Sequence, residues 1–159
     1  AFSGQDATKW NEQADWFTQD LQDHAADHTW NIVTYHRPMR PHTSGKSEGL
    51  GRIAAWADPM YEHGVDLAIE CDTHMSKHTF PIKPSHTLTG NGDNVTGVEN
   101  VGVGSFQSFT RDENGIVFTG EGSWGAPTRP DNDDKPWTID SDSFWQFKLV
   151  HARDRKSVV

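Results

Sequence analysis

A strand-like run, an amphipathic helical run and a second strand-like run follow one another between Trp30 and Cys71, and this order constrains the chain more than any other feature. Trp30-Asn-Ile-Val-Thr-Tyr-His36 is β-branched and aromatic, the composition of an extended segment. Arg37-Pro38 and Arg40-Pro41 stop it, because proline cannot continue a central ladder. The polar stretch Pro41 to Glu48 then reads as a loop. From Leu50 to His63, residues Leu50, Ile53, Ala54, Ala57 and Tyr61 share one helical face. Pro59 is expected to kink or restart this helix with Asp58 as a cap, and Gly64 suits the left-handed position that ends it. Val65-Asp-Leu-Ala-Ile-Glu70 is the second strand. Two strands joined by a helix pair in parallel through a right-handed crossover, which predicts an α/β fold.

The flanks extend this reading. Thr8 is a candidate cap for a helix running to about Ala26, with Trp10, Ala14, Phe17 and Leu21 on one face. Beyond Cys71, the runs Lys77 to Lys83, Val98 to Phe109, Ile116 to Gly120 and Phe144 to His151 are strand-like. In the last of them Trp145, Phe147 and Leu149 alternate with Gln146 and Lys148, which predicts a strand with its apolar side buried. Glu121 to Asp142 is rich in glycine and proline and reads as loop. The expected fold is a βαβ unit followed by mainly antiparallel strands.

Composition narrows the partners. The chain of 159 residues is the size of one domain and carries a formal charge of −9, which argues against nucleic acid or an anionic membrane as the main partner. No apolar run approaches the roughly 18 residues of a membrane-spanning helix. Seven Trp and eight Phe promise large buried areas although only 33% of residues are hydrophobic. The single cysteine, Cys71, excludes an internal disulfide and reads as a small buried residue rather than a nucleophile. The acidity fits a solvated surface and leans toward a secreted or periplasmic setting. Asp131, Asp133 and Asp134, between Pro130 and Pro136, read as an exposed loop, with cation recruitment as the alternative.

The chemistry gathers at the strand ends. His36 closes the first parallel strand and Asp72-Thr-His74 follows the second. In open α/β sheets, ligands bind outside the carboxyl ends of the strands. In an extended segment Asp72 and His74 point to the same side with Cα atoms about 7 Å apart, so each reaches a different ion of a closely spaced pair. Imidazole with carboxylate suits Zn, Fe or Mn. A single histidine at a strand end is ordinarily a hydrogen-bonded surface residue; three such groups at adjacent strand ends point to metal.

Trp16…Leu21, Trp30-Asn-Ile-Val-Thr-Tyr-His36-Arg-Pro-Met, Val65-Asp-Leu with Asp72-x-His74, and Gly120-Glu-Gly-Ser-Trp-Gly-Ala-Pro127 occur in an order that resembles the C-terminal half of calcineurin-like metallophosphoesterases. The nearest branch is that of purple acid phosphatases and related bacterial phosphatases, and the resemblance runs from about residue 9 to 151. Asp72 stands where the family has the first His of Gly-His-x-His, Cys71 replaces its Gly, and Tyr35 replaces the Gly before His36. The Asp-x-His, Gly-Asp-x-x-Asp and Gly-Asn-His motifs of the family's first half do not occur here in their family context.

The resemblance implies that residues 1–159 form the C-terminal part of a single catalytic domain, half of an α/β/β/α sandwich. Full activity would need the N-terminal half, as a separate chain or a lost segment. It also implies two divalent or trivalent metal ions, one held by His36 and Asp72 and the other by His74, that clamp a phosphate ester and activate water. His42 is expected to protonate the leaving group, Arg37 and Arg40 (with Lys46) to hold phosphate oxygens, and Trp124 and Arg129 to line the pocket mouth. The expected activity is that of a phosphomonoesterase. The alternatives are a non-catalytic module binding carbohydrate or protein through the aromatic-rich half, and an inactive relative that keeps only the fold.

Overall fold

The computed structural model describes residues 7–47, 49–86 and 106–153. Helix α1 (Ala7–His24) opens the described chain and is followed by strand β1 (Ile32–Thr34). Helix α2 (Leu50–Arg52), a π-type turn over Ile53–Ala57 and helix α3 (Asp58–Glu62) lead to β2 (Leu67–Glu70). Strands β3 (Ser76–Thr79), β4 (Ile82–His86), β5 (Phe106–Arg111), β6 (Val117–Gly120) and β7 (Thr138–Asp142) complete the fold. One sheet has the order β1-β2-β6-β3-β7 and a second consists of β4 and β5.

The predicted parallel pair forms, with Ile32 opposite Leu67 and Thr34 opposite Ile69. β6 adds to β2, also in parallel, while β3 pairs antiparallel with both β6 and β7. The β4–β5 pair is antiparallel and is joined to the start of β6 by a bridge between Ile82 and Ile116. The fold is thus α/β on one side and antiparallel on the other. It forms because Ile53, Ala57 and Met60 of the helical layer share a core with Val65, just before β2, and with Ala68 and Phe118 of the sheet. Phe109 sits edge-on to Phe118 and Trp137 at centroid distances of 5.5 and 5.6 Å. On α1, Leu21 is buried and Phe17 meets Trp56; the side chain of Trp10 lies outside the described residues.

Several local expectations change. Pro59 stands in the first turn of α3, so a new α-helical segment starts there as expected, while Ala57 and Asp58 keep right-handed helical angles. The residue before this segment is Ala57 and Asp58 is already inside it, so Asp58 is not the cap, and the missing proline N–H falls in a first turn where it has no helical partner to lose. Gly64 takes the expected left-handed angle, φ +69°. The segment Lys77 to Lys83 is two strands rather than one, and β7 arises inside the stretch read as loop. Residues 98–105 of the strand expected over Val98 to Phe109 lie outside the described residues.

Phe144 to His151 forms no strand. Its alternation is real but inverted. Gln146 donates to the carbonyls of Met75 and Gly120, at 3.2 and 3.0 Å, and Lys148 donates to that of Lys77 at 2.7 Å. The polar residues therefore face the sheet, and Trp145, Phe147 and Leu149 are 70, 79 and 77% exposed.

Candidate functional site

The parallel edge delivers its loops to one place. Tyr35 N–H donates to the Ile69 carbonyl at 3.1 Å and Cys71 N–H to the His36 carbonyl at 3.0 Å, so the ladder continues past the strand ends and sets residue 36 beside residue 72. His36 Nε2 lies 3.5 Å from Asp72 Oδ1, and Lys46 Nζ donates to Asp72 Oδ2 at 2.9 Å. Burial alone would raise the Asp72 pKa. The hydrogen bond and charge of Lys46, with the charges of His36 and Arg37, outweigh it and hold the carboxyl below its ordinary range.

His74 goes elsewhere. Asp72 and His74 have φ of +70° and +61°, a left-handed geometry uncommon for non-glycine residues. Thr73 N–H closes a turn on the Cys71 carbonyl, and His74 N–H donates to the Glu121 carbonyl. The extended geometry expected for residues 72–74 is therefore corrected: this is a tight turn, and the period-two argument does not apply. His74 Nδ1 is 3.0 Å from the Pro127 carbonyl. A carbonyl only accepts, so Nδ1 is the donor in this contact. Arg129 clamps the turn, its guanidinium donating to the Asp72 carbonyl at 2.7 Å and its N–H to that of His74.

Beneath this turn lies an ionic cluster that sequence reasoning missed. Lys77, Glu70 and Glu121 are buried, and the Lys77 ammonium meets both carboxylates and the Arg40 carbonyl. Glu70 also accepts from the Tyr35 hydroxyl at 2.6 Å and from Met39 N–H at 2.8 Å. Burial would lower the Lys77 pKa, but the two glutamate charges outweigh it and raise it. Burial pushes Glu121 up to about 7, with Lys77 opposing and Glu70 adding to the rise. The signal was in the sequence: Glu70 stands two residues after Ala68 and so shares its buried face. Gly120, at φ +118°, permits the close approach of β6 to β2, since a Cβ there would lie 2.2 Å from the Glu70 carbonyl oxygen.

His42 is the clearest correction among the expected site residues. It is fully buried, with Nδ1 3.3 Å from the Arg40 carbonyl and Nε2 2.5 Å from Thr138 Oγ1. Its carbonyl accepts from the N–H groups of Asn132 and Asp133. Burial, helped by the Lys77 ammonium, pushes its pKa down to about 4. A sealed, neutral imidazole is placed to anchor the loop and not to hand a proton to a leaving group. Arg37 is exposed beside Asp72, whereas Arg40 serves the cluster through its carbonyl. Trp124 is exposed and meets Phe147 edge-on at 6.2 Å.

The fit to metal follows from these distances. Two ligands bound to one ion at about 2.1 Å and a tetrahedral angle lie roughly 3.4 Å apart. His36 Nε2 and Asp72 Oδ1 match that separation, which is too long for a good hydrogen bond. The structure thus brings together two of the three expected donors, and His74 presents a fixed ring nearby in sequence but tied to the 127–129 loop. Among the described residues, no three His, Cys, Asp or Glu side chains gather closely enough to hold an ion.

Comparison with known proteins places the architecture. No family model matches the chain, and no curated protein sequence does. Among solved structures, a purple acid phosphatase from yellow lupin (Lupinus luteus) seeds is similar, with a TM-score of 0.58 and 18% identity over 82% of this chain. The likeness is one of fold. The chain shares the fold of part of the lupin protein and spans 22% of its length.

Proposed function

We propose that the chain forms the C-terminal part of a metallophosphoesterase catalytic domain that hydrolyses phosphomonoesters. In this reading His36 and Asp72 are ligands of one metal ion and His74 of a second. The remaining ligands come from the complementary N-terminal half, whether a separate chain or part of the same polypeptide. The observation that carries the reading is the 3.5 Å separation of His36 Nε2 and Asp72 Oδ1 at the carboxyl ends of the parallel strands. When bound, such ions acidify a coordinated water and offset charge on the phosphoryl oxygens. The chain's own residues prepare the place. Asp72 is kept ionised, Pro127 orients the ring of His74, Arg129 locks the backbone that carries both, and Arg37 offers a fork for phosphate oxygens.

The test is hydrolysis of an aryl phosphate by the chain assembled with its complementary half, with metal content measured on the same sample. His36→Ala and Asp72→Asn should each lower kcat by about 10²-fold or more, in line with the loss of a group that stabilises the transition state. Full activity in either variant would sink the proposal. A second reading is favoured by the outward Trp124, Trp145, Phe147 and Leu149, a patch suited to carbohydrate or protein binding without catalysis. Under that reading His36→Ala leaves ligand binding untouched while Phe147→Ser removes it.

A further inference from the structure

An open cavity of about 210 Å³ lies between α1 and β1, the strand that ends the five-stranded sheet, and four aromatic residues line it: Trp16, Phe17, Tyr35 and Trp56. Trp16, Phe17 and Asp20 come from α1, where spacings of three and four residues put them on one side of the helix. Trp56, from the π-type turn, meets Phe17 and Tyr35 at centroid distances of 6.1 and 5.5 Å, with interplanar angles of 63 and 62°. Rings set so steeply offer faces as well as edges to the space among them. Among the described residues Asp20 is the charged group of the lining, and no basic side chain belongs to it. His24 Nε2 stays 3.9 Å from Asp20 Oδ1, beyond a hydrogen bond. Arg52, whose charge reaches Tyr35, is engaged by the Pro38 carbonyl at 3.0 Å and lies outside the lining.

Such a lining selects by charge and by softness. Aromatic faces carry the negative end of the ring quadrupole, so they attract a weakly hydrated organic cation that needs no hydrogen bond. Anions find no donor of positive charge here, and a metal ion finds no set of lone pairs. Tyr35 adds to the effect: its hydroxyl donates to the buried Glu70 at 2.6 Å, which polarises the phenol and enriches its ring in electrons. Trp16 is 63% exposed, a large indole left in water where the cavity opens. The cavity is smaller than the roughly 300–1,000 Å³ of sites for drug-sized ligands, so it suits a head group and not an extended chain. We infer that this cavity binds the trimethylammonium head group of a small molecule, with the cation against the ring faces and Asp20 as its counter-charge. The inference stands apart from the reading of His36 and Asp72 as metal ligands.

Choline titrated into the 159-residue chain, followed by ligand-observed NMR and calorimetry, tests this without reference to turnover. Its neutral tert-butyl isostere, in which carbon replaces nitrogen, is the control of equal shape. Choline should bind about tenfold more tightly than the isostere. Trp16→Ala should weaken choline binding about tenfold and Asp20→Asn about threefold, each with the far-UV spectrum of the wild type, because both side chains lie at the surface. Equal affinity for choline and the isostere would overturn the cation and leave only an apolar cleft. Absence of saturable choline binding, or binding untouched by both substitutions, would overturn the site itself. A trimethyllysine peptide that binds about tenfold more tightly than choline would overturn the small-molecule occupant in favour of a modified protein; one that binds no better would support it.

Discussion

Beneath the ends of β2 and β6 a lysine and two glutamates are buried, whereas on the outer side of the same sheet Trp124, Trp145, Phe147 and Leu149 are exposed. The interior charges are partnered: Lys77 touches Glu70, Glu121 and the Arg40 carbonyl, and Glu70 takes two further hydrogen bonds. The cluster ties the His36 loop, the end of β2 and the end of β6 into one rigid platform. The exterior aromatics do the opposite, leaving large apolar area in water while Gln146 and Lys148 occupy the sheet-facing side. The contrast teaches that this sheet is organised around its site loops from within. Its outer strap carries the signature of a layer that meets another layer, such as the complementary half proposed above.

The largest way to break this contrast is Lys77→Met. It strips two buried carboxylates of their counter-charge, and such losses cost about 3–5 kcal/mol. Urea denaturation should show that loss; a change below about 1 kcal/mol would mean that the cluster is not buried as described.

A pH test sharpens the interior half. His42 has its pKa lowered to about 4, so the unfolded chain binds more protons between that value and the ordinary 6.5, and its contribution is lost as pH falls through this window. Glu121 is raised from 4.5 to about 7, so its contribution is present at low pH and is lost as pH rises through that window. Each shift corresponds to roughly 3 kcal/mol, opposite in sign. The two contributions therefore oppose each other between about pH 4.5 and 6.5. His42→Asn should uncover a decline with rising pH, and Glu121→Gln a decline with falling pH. Denaturant midpoints across the range check both, and parallel profiles in the two variants would refute the pairing.

The smallest effect belongs to the exterior. Trp145→Ser, Phe147→Ser and Leu149→Ser should each change stability by no more than about 0.5 kcal/mol, because these side chains are exposed. Association with the complementary half, measured by calorimetry, should nevertheless weaken in the triple variant. A large loss of stability with unchanged association would reverse the assignment of this face.

How far the sequence reached is visible in particular residues. Ile32 to Thr34 and Leu67 to Glu70 were legible as a parallel pair because β-branched runs separated by one amphipathic helix leave little topological choice. His36 and Asp72 were legible as neighbours for the same reason, since parallel strands in register place their ends side by side. His74 was not, because a turn with two left-handed residues redirects the side chain and no period describes it. His42 was misread because nothing local marks a loop histidine as covered; Thr138 and the Asn132–Asp133 backbone, far along the chain, cover it.

By itself, the sequence determined the α/β class, the parallel edge, the apolar faces of the helices and the meeting of His36 with Asp72. These follow from short-range periodicity and from the handedness of a single crossover, both of which act within one unit of chain. Only the tertiary structure decided that Glu70, Lys77 and Glu121 share an interior site, that Lys46 engages Asp72, and that the strap at Trp145 to Leu149 turns its polar side inward. Each of these depends on which distant backbone carbonyl or charge lies opposite. Alternation specifies that two faces differ; the surrounding layers decide which face is covered.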